Sequence, residues 1–121
     1  MCPENANIFI AEDNRNFHES LKDYLRFGGH KVVASAYTYE EALPIIEHLE
    51  ELGVQVAIVD GNLGSGSWNG VKISEAIRIH NPAVKIIHNS TNYFDGPCDA
   101  DFRKGDNPDL GSDISAVVKN L

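Results

Sequence analysis

Short apolar, β-branched runs alternate with segments of helical periodicity along the chain, and this alternation restricts the fold more than any other feature. Five runs predict strands: NIFIA (7–11), KVVASA (31–36), VQVAIVD (54–60), VKIIHNS (84–90) and ADFRK (100–104). Amphipathic helical segments follow each of the first three strands, and a last one is predicted within PDLGSDISAVVKNL. Strands that alternate with helices predict a parallel sheet covered on both faces, which is the doubly wound α/β class.

The composition is that of one compact domain, which we expect to span residues 1–121. The formal net charge of −8 argues against direct nucleic-acid binding, which needs a basic surface. No apolar run approaches the ~20 residues of a membrane span, and MCPENAN lacks the features of a signal peptide. Two cysteines without CxxC spacing favour a reducing, cytoplasmic location, and the five histidines lack the spacing of zinc ligands.

Residue types at the helix ends indicate where two of the helices begin. Asn14 is a suitable N-cap for the first helix, and Thr38 with Glu41 has the spacing of a capping box for the second. Pro44 lies beyond the first turn of the second helix and should kink or weaken it. The apolar stripe of the first helix is predicted to contain Phe17, Leu21, Tyr24 or Leu25, and Phe27.

Polar residues follow four of the five predicted strands. The first strand is followed by Glu12 and Asp13, the third ends in Asp60, the fourth in Ser90, and the fifth in Lys104. Ligands of such sheets bind beyond the carboxyl ends of the strands, so these side chains are expected to converge if the strands are neighbours. Clustered carboxylates repel one another unless a cation neutralises them, and Mg²⁺ prefers oxygen ligands. We therefore predict that Asp13 and Asp60 hold Mg²⁺, with Glu12 acting through water.

The same arrangement predicts a reaction at Asp60. Carboxylates can attack phosphoryl donors to form aspartyl-phosphates, and Asp60 follows the most apolar strand, with acids beyond the neighbouring strand. Lys104 would supply a positive charge to the transferring phosphoryl group, and Ser90 would supply a hydrogen bond.

The segments IFIAEDN, VAIVDGNLG, NGVKISEAIR, PAVKIIHNST and DFRKG together resemble the receiver domain of two-component response regulators over essentially the whole chain. The resemblance implies a flavodoxin-like (βα)5 fold, with five parallel strands in the order 2-1-3-4-5. It also implies that a histidine kinase or a histidine phosphotransfer protein phosphorylates Asp60, and that the domain then acts on a downstream protein. Such a domain catalyses only its own phosphorylation and dephosphorylation. By position, Glu12 and Asp13 match the acidic pair, and the backbone carbonyl of Asn62 matches a Mg²⁺ ligand. Ser90 matches the switch hydroxyl, and Lys104 the phosphate-binding lysine.

One segment departs from the pattern of that family. Only the eight residues NYFDGPCD (92–99), with Gly96-Pro97 in the middle, separate Ser90-Thr91 from ADFRK. A parallel crossover needs at least ~10–12 residues, so the fourth helix should be truncated or absent. The loop would leave the sheet edge beside ADFRK partly uncovered, where a homodimer or a partner could pair.

Three functions are compatible with these residues. The first is a phosphorylatable receiver, and the second is a receiver-like module that binds a partner without phosphorylation, as the missing helix would allow. The third is a phosphohydrolase of the haloacid-dehalogenase type, which needs a second aspartate two residues after the nucleophile, where this chain has Asn62. His88, in the fourth strand, is either a hydrogen-bonded core residue or a sensor of pH or phosphate.

Overall fold

A computed structural model of the chain describes residues 6–60, 63, 69–90, 98–103, 114 and 116–118. Within them, strands alternate with helices in the predicted sequence of elements. The elements are β1 (Asn7–Ala11), α1 (Arg15–Phe27), β2 (Lys31–Ala36), α2 (Tyr39–Glu47), α3 (Leu49–Leu52), β3 (Val56–Val59), α4 (Asn69–His80), β4 (Lys85–Ser90) and β5 (Ala100–Arg103). Residues 114 and 116–118 are also helical.

The five strands form one parallel sheet in the order β2-β1-β3-β4-β5, which confirms the expected doubly wound, flavodoxin-like arrangement. Strand β3 lies at the centre, and all four of its residues are buried. This explains its uniformly apolar sequence, because a central parallel strand is covered on both faces. Ala11 at the end of β1 is in register with Val59 at the end of β3, so the residues that follow these two strands emerge side by side.

Side chains of successive strand residues enter two separate cores, one on each face of the sheet. Phe9 and Ala57 join the core beneath α2, α3 and α4, whereas Ile8 and Ile58 join the core beneath α1. The second core also receives Ile114 and Val118, so the last described helical residues cover the same face as α1.

Both predicted helix starts are confirmed by their capping hydrogen bonds. The Phe17 N–H donates to the Asn14 side chain at 3.0 Å, and the Glu41 N–H donates to Thr38 Oγ1 at 3.1 Å. The Glu41 carboxylate in turn accepts at 2.7 Å from the N–H of Tyr37, the residue before the cap, and not from the Thr38 N–H that a capping box uses. Among the helices that the structure describes, the longest is α1 with 13 residues, and none has the length and apolarity needed to cross a membrane.

The second predicted helix is divided into α2 and α3 at His48. Pro44 lies inside α2, which continues past it to Glu47. A proline removes the hydrogen bond to the residue four positions before it, so the division at His48 lies on the other side of Pro44 from the bond that is lost. The His48 N–H donates to the carbonyl of Ile45, three residues before it, whereas an α-helix pairs residues four apart. Gly53 then ends α3 with a φ of 71°, a left-handed conformation in which an added Cβ would lie 3.3 Å from Asn7 Nδ2.

The connection from β4 to β5 is short, as the sequence predicts. Strand β4 ends at Ser90 and β5 begins at Ala100, which leaves nine residues, 91–99, for the crossover. This is fewer than the ~10–12 residues of a complete parallel crossover with its helix. Residues 91–97 lie outside the described part of the chain, so their predicted loop conformation stays a prediction.

Asp99, just before β5, is hydrogen-bonded to both β4 and α4. Its Oδ2 accepts hydrogen bonds from Arg78 Nη2 at 2.7 Å and from the Ile86 N–H at 2.8 Å, and the Asp99 N–H donates to the Ile86 carbonyl at 2.7 Å. Arg78 Nη1 also donates to the Val84 carbonyl at 3.3 Å. Partial burial acts to raise the pKa of Asp99, but the Ile86 hydrogen bond and the Arg78 guanidinium outweigh it, and the pKa is lowered.

We expect Asp99→Ala to lower the free energy of unfolding by about 1–3 kcal/mol, because the buried Ile86 N–H loses its charged acceptor. The native pKa of Asp99 is depressed, so its contribution is complete above the unfolded pKa of about 3.9 and is lost as pH falls through the lower native pKa. Urea unfolding at pH 7 and pH 3 should therefore give a smaller difference between wild type and Asp99→Asn at pH 3. Asp23→Asn, at an exposed position on α1, is the control and should match wild type at both values.

Candidate functional site

Three acidic side chains meet where β1 and β3 end. Glu12 and Asp13 follow β1, and Asp60 follows β3, its immediate neighbour in the sheet. One carboxylate oxygen from each residue lies within 4.8 Å of the other two. The convergence predicted for these three residues is therefore present in the fold.

The backbone around the three acids is held by hydrogen bonds from the adjoining strands. The Glu12 N–H donates to the Ala36 carbonyl at 3.0 Å, and the Asp60 N–H donates to the Ala11 carbonyl at 2.8 Å. The side chains of Glu12 and Asp60 are buried, with 1% and 6% of their surface exposed, whereas Asp13 is exposed. Glu12 Oε2 accepts from the Asn14 N–H at 3.0 Å, so the first acid is also bound to the start of α1.

The donor set fits a hard divalent cation. Three carboxylates at this separation repel one another, and the burial of two of them removes much of the water that would screen the repulsion. Every side-chain donor in the cluster is a carboxylate oxygen, the ligand type that Mg²⁺ prefers. Asp13 and Asp60 would hold such an ion directly.

A buried histidine lies beneath the acidic pair. His18 is fully buried on α1, and its Nδ1 lies 2.8 Å from the Glu12 carbonyl oxygen. A carbonyl only accepts hydrogen bonds, so Nδ1 carries the proton and donates. Burial lowers the pKa of His18, and the nearby Lys22 adds to that effect, while the bond to the Glu12 carbonyl opposes it. The ring is therefore kept neutral with its proton on Nδ1.

Tyr37, in the turn after β2, covers one face of that histidine. The two ring centroids are 4.1 Å apart with an angle of 21° between the planes, which is a stacked arrangement. The Tyr37 hydroxyl donates to Glu19 Oε1 at 2.7 Å, and this hydrogen bond lowers the pKa of Glu19. Arg15 and Lys22 lie 4.6 and 5.6 Å from the centroid of the tyrosine ring, within the range of cation–π contacts.

His18 was not anticipated from the sequence, because only apolar residues were assigned to the stripe of α1. The buried residues of α1 are His18, Leu21 and Leu25, whereas Phe17 is half-buried, and Tyr24 and Phe27 are exposed. The prediction that Phe27 belongs to the stripe was wrong: it lies two residues after Leu25, which is about 200° around the helix. The missed signal was a histidine three and seven residues before two buried leucines.

The profile of the response regulator receiver domain family matches residues 8–94 of the chain. The chain belongs to this family. The match contains both acidic strand ends, and it stops before β5 and Lys104.

Solved receiver structures show the same fold. A CheY-like receiver domain from Methanospirillum hungatei JF-1 superposes with a TM-score of 0.75 and 24% identity, covering 95% of this chain and 94% of that one. The receiver of Thermotoga maritima CheB gives a TM-score of 0.75 at 16% identity, with 95% and 94% covered. Thermotoga maritima TrrA, solved in complex with Mg²⁺ and BeF, gives a TM-score of 0.72 at 22% identity, covering 93% of this chain and 98% of that one. A search of curated proteins found no match.

The remaining predicted site residues of this receiver are only partly located. Ser90 is the last residue of β4 and is in register with Arg103 of β5, so it stands at the same end of the sheet as Asp60. Asn62 and Lys104 lie outside the described residues, and their roles as Mg²⁺ ligand and phosphate-binding lysine stay predictions.

His88 of the receiver takes the first of its two predicted roles, that of a hydrogen-bonded core residue. It is buried in β4, in register with Val59, and its Nε2 lies 3.0 Å from Ser74 Oγ on α4. Ser74 is itself fully buried, so this pair joins β4 to α4 through one buried polar contact.

Proposed function

We propose that the domain, spanning residues 1–121, accepts a phosphoryl group on Asp60 in a Mg²⁺-dependent reaction. The donor would be a histidine kinase or a histidine phosphotransfer protein, and the product would act as a signalling switch through protein–protein contacts. The observation that carries this proposal is the grouping of Glu12, Asp13 and Asp60 at the adjoining ends of β1 and β3.

Each site residue would have a separate role in the phosphoryl transfer. An Asp60 carboxylate oxygen forms a bond to phosphorus while the phosphorus–nitrogen bond of the donor phosphohistidine breaks, and the imidazole leaves with the electron pair of that bond. Mg²⁺, when bound, supplies positive charge to the phosphoryl oxygens. Asp13 and Asp60 would hold it, with Glu12 acting through water and the backbone carbonyl of Asn62 as a further ligand. Lys104 and Ser90 would bind the oxygens of the transferred group. The domain thus acts on itself rather than on a separate substrate.

Relatives of similar fold support this chemistry. The Thermotoga maritima TrrA structure holds Mg²⁺ with BeF, and the DrrB receiver domain was solved in a BeF3-activated form. Those ligands belong to those proteins. They support our proposal because this chain has three clustered carboxylates that suit the same cation.

A second candidate is a receiver-like module that binds its partner without phosphorylation. The nine-residue connection between β4 and β5 favours it, because the crossover that normally carries a helix is too short to contain a complete one. Pairing of a second copy at the β5 edge belongs to this candidate as well.

Incubation with acetyl phosphate, followed by intact-mass analysis, separates the two candidates. A phosphorylatable receiver gains the mass of one phosphoryl group when Mg²⁺ is present and gains none when EDTA removes the metal. A chain that stays unmodified at every Mg²⁺ concentration, while remaining folded by circular dichroism, would favour the interaction module.

A further inference from the structure

His18 makes its polar contact at the one peptide unit that joins the two acids. The Glu12 carbonyl, which accepts from His18 Nδ1 at 2.8 Å, lies in the same planar unit as the Asp13 N–H. Fixing that oxygen fixes the orientation of the whole unit, and with it the directions in which the flanking Cα atoms project their side chains. A side chain on α1 is therefore bonded to the peptide unit from which both acids project.

The His18 ring is itself held in place by Tyr37, from the segment between β2 and α2. Stacking against Tyr37, at a centroid distance of 4.1 Å, restricts rotation of the His18 ring about its own bonds. The tyrosine is anchored at both ends, since its hydroxyl donates to Glu19 and its N–H donates to Glu41. The contacts thus run without a break from the cap of α2 to the acidic pair.

The buried position of the ring indicates that the hydrogen bond donated by Nδ1–H is the reason for a histidine at this position. His18 occupies a stripe otherwise filled by leucines, and its buried Nε2 has no hydrogen-bond partner among the described residues. Burying a polar nitrogen in this way opposes folding, and a leucine would avoid that cost. The donor at Nδ1 is the function that leucine cannot replace.

We propose that His18 is a positioning residue for the Mg²⁺ site: its Nδ1–H holds the Glu12–Asp13 peptide unit so that both carboxylates face Asp60 against their mutual repulsion. This inference rests on the proposed function, because it assumes that the three carboxylates bind Mg²⁺. Groups that orient metal ligands without touching the metal commonly change metal affinity by about 10–100-fold when removed.

Three substitutions at one position test the role of the donor. The side-chain nitrogen of His18→Asn stands at the same number of bonds from Cβ as Nδ1, so it keeps the bond to the Glu12 carbonyl. His18→Gln moves the amide one carbon further away, and His18→Leu removes every donor while filling the space. His80→Leu, an exposed histidine at the end of α4, is the matched control.

The Mg²⁺ dissociation constant of each variant would be measured from Trp68 fluorescence, at a temperature where the metal-free protein is folded. We expect His18→Leu and His18→Gln to weaken binding by about tenfold or more, and His18→Asn to stay close to wild type and to His80→Leu. Melting temperatures of the metal-free proteins show whether a variant is less stable. A loss of stability alone would not produce the expected difference in Mg²⁺ affinity between His18→Asn and His18→Gln.

Wild-type affinity in His18→Leu, or an Asn variant as weak as the Gln variant, would overturn the positioning role while leaving the proposed function intact. Failure of the wild-type protein itself to bind Mg²⁺ would instead overturn the proposed function. If His18→Leu does not fold, the comparison of His18→Asn with His18→Gln decides the question alone.

Discussion

Asp60→Asn should abolish formation of the phosphoryl adduct. The amide has almost the same shape as the carboxylate, so the buried position after β3 is preserved, and the backbone bond from the residue 60 N–H to the Ala11 carbonyl is unaffected. The amide oxygen carries no formal charge, however, and it is a far weaker nucleophile toward phosphorus. Intact-mass analysis after treatment with acetyl phosphate and Mg²⁺ should show an adduct for wild type and none for the variant.

The same substitution should leave the protein at least as stable in the absence of metal. Removing one of three carboxylates relieves repulsion, so we expect the free energy of unfolding to rise by on the order of 1 kcal/mol. Asp23→Asn, at an exposed position on α1, is the control and should form the adduct normally. An adduct that persists in Asp60→Asn would contradict the assignment and direct attention to another acid.

Asp13→Ala should remove most of the Mg²⁺ affinity, with a loss that we expect to exceed about 100-fold, above the 10–100-fold typical of groups that only orient metal ligands. Asp13 is the exposed member of the cluster, and its short side chain presents an oxygen from the solvent side. The bond from the Asn14 N–H holds Glu12 Oε2 at the start of α1, so we do not expect Glu12 to move into the place of the lost ligand. Titration of Mg²⁺ against Trp68 fluorescence measures the effect.

Glu12→Gln should weaken Mg²⁺ binding much less, by about tenfold, as expected for a group that acts through water. The amide oxygen can still accept from the Asn14 N–H, so the local backbone is retained. Asp23→Ala, at the exposed control position, should bind as wild type does. Equal affinities in wild type and Asp13→Ala would refute the ligand assignment, and a larger loss in Glu12→Gln would reverse the two roles.

Much of the framework could be predicted because it depends on short-range patterns. The limits of β1 and β2 agree with the apolar runs at 7–11 and 31–36, since β-branched residues fit the half-buried, pleated surface of a strand. The caps at Asn14 and Thr38 depend on residues three positions apart. Predicted strands 54–60 and 84–90 extended past β3 and β4, because pairing with neighbours, and not composition, sets where a strand ends.

The convergence of the acids was also predictable, from the parallel topology together with the strand order that the family resemblance implied. Once strands and helices alternate, the connections between parallel strands bring every strand's carboxyl end to one edge of the sheet. The strand order 2-1-3-4-5, which the resemblance to receiver domains implied, then makes the residues that follow β1 and β3 neighbours. The prediction that Phe27 belongs to the apolar stripe of α1 was wrong, and Phe27 is 93% exposed. Periodicity locates an apolar face only to within one or two residues.

The strand and helix pattern and the parallel sheet could be inferred from the sequence alone, because they follow from local periodicity and from the direction of each strand. The meeting of Glu12, Asp13 and Asp60 also required the strand order that places β1 beside β3. The packing of the elements, in contrast, sets which polar group bonds to which partner: His18 to the Glu12 carbonyl, Asp99 to Arg78 and Ile86, and His88 to Ser74. Periodicity distinguishes buried from exposed positions, but a hydrogen bond requires two atoms about 3 Å apart. When those atoms belong to different elements, such as β4 and α4, their separation is set by how the elements pack, and the local sequence of neither element contains it.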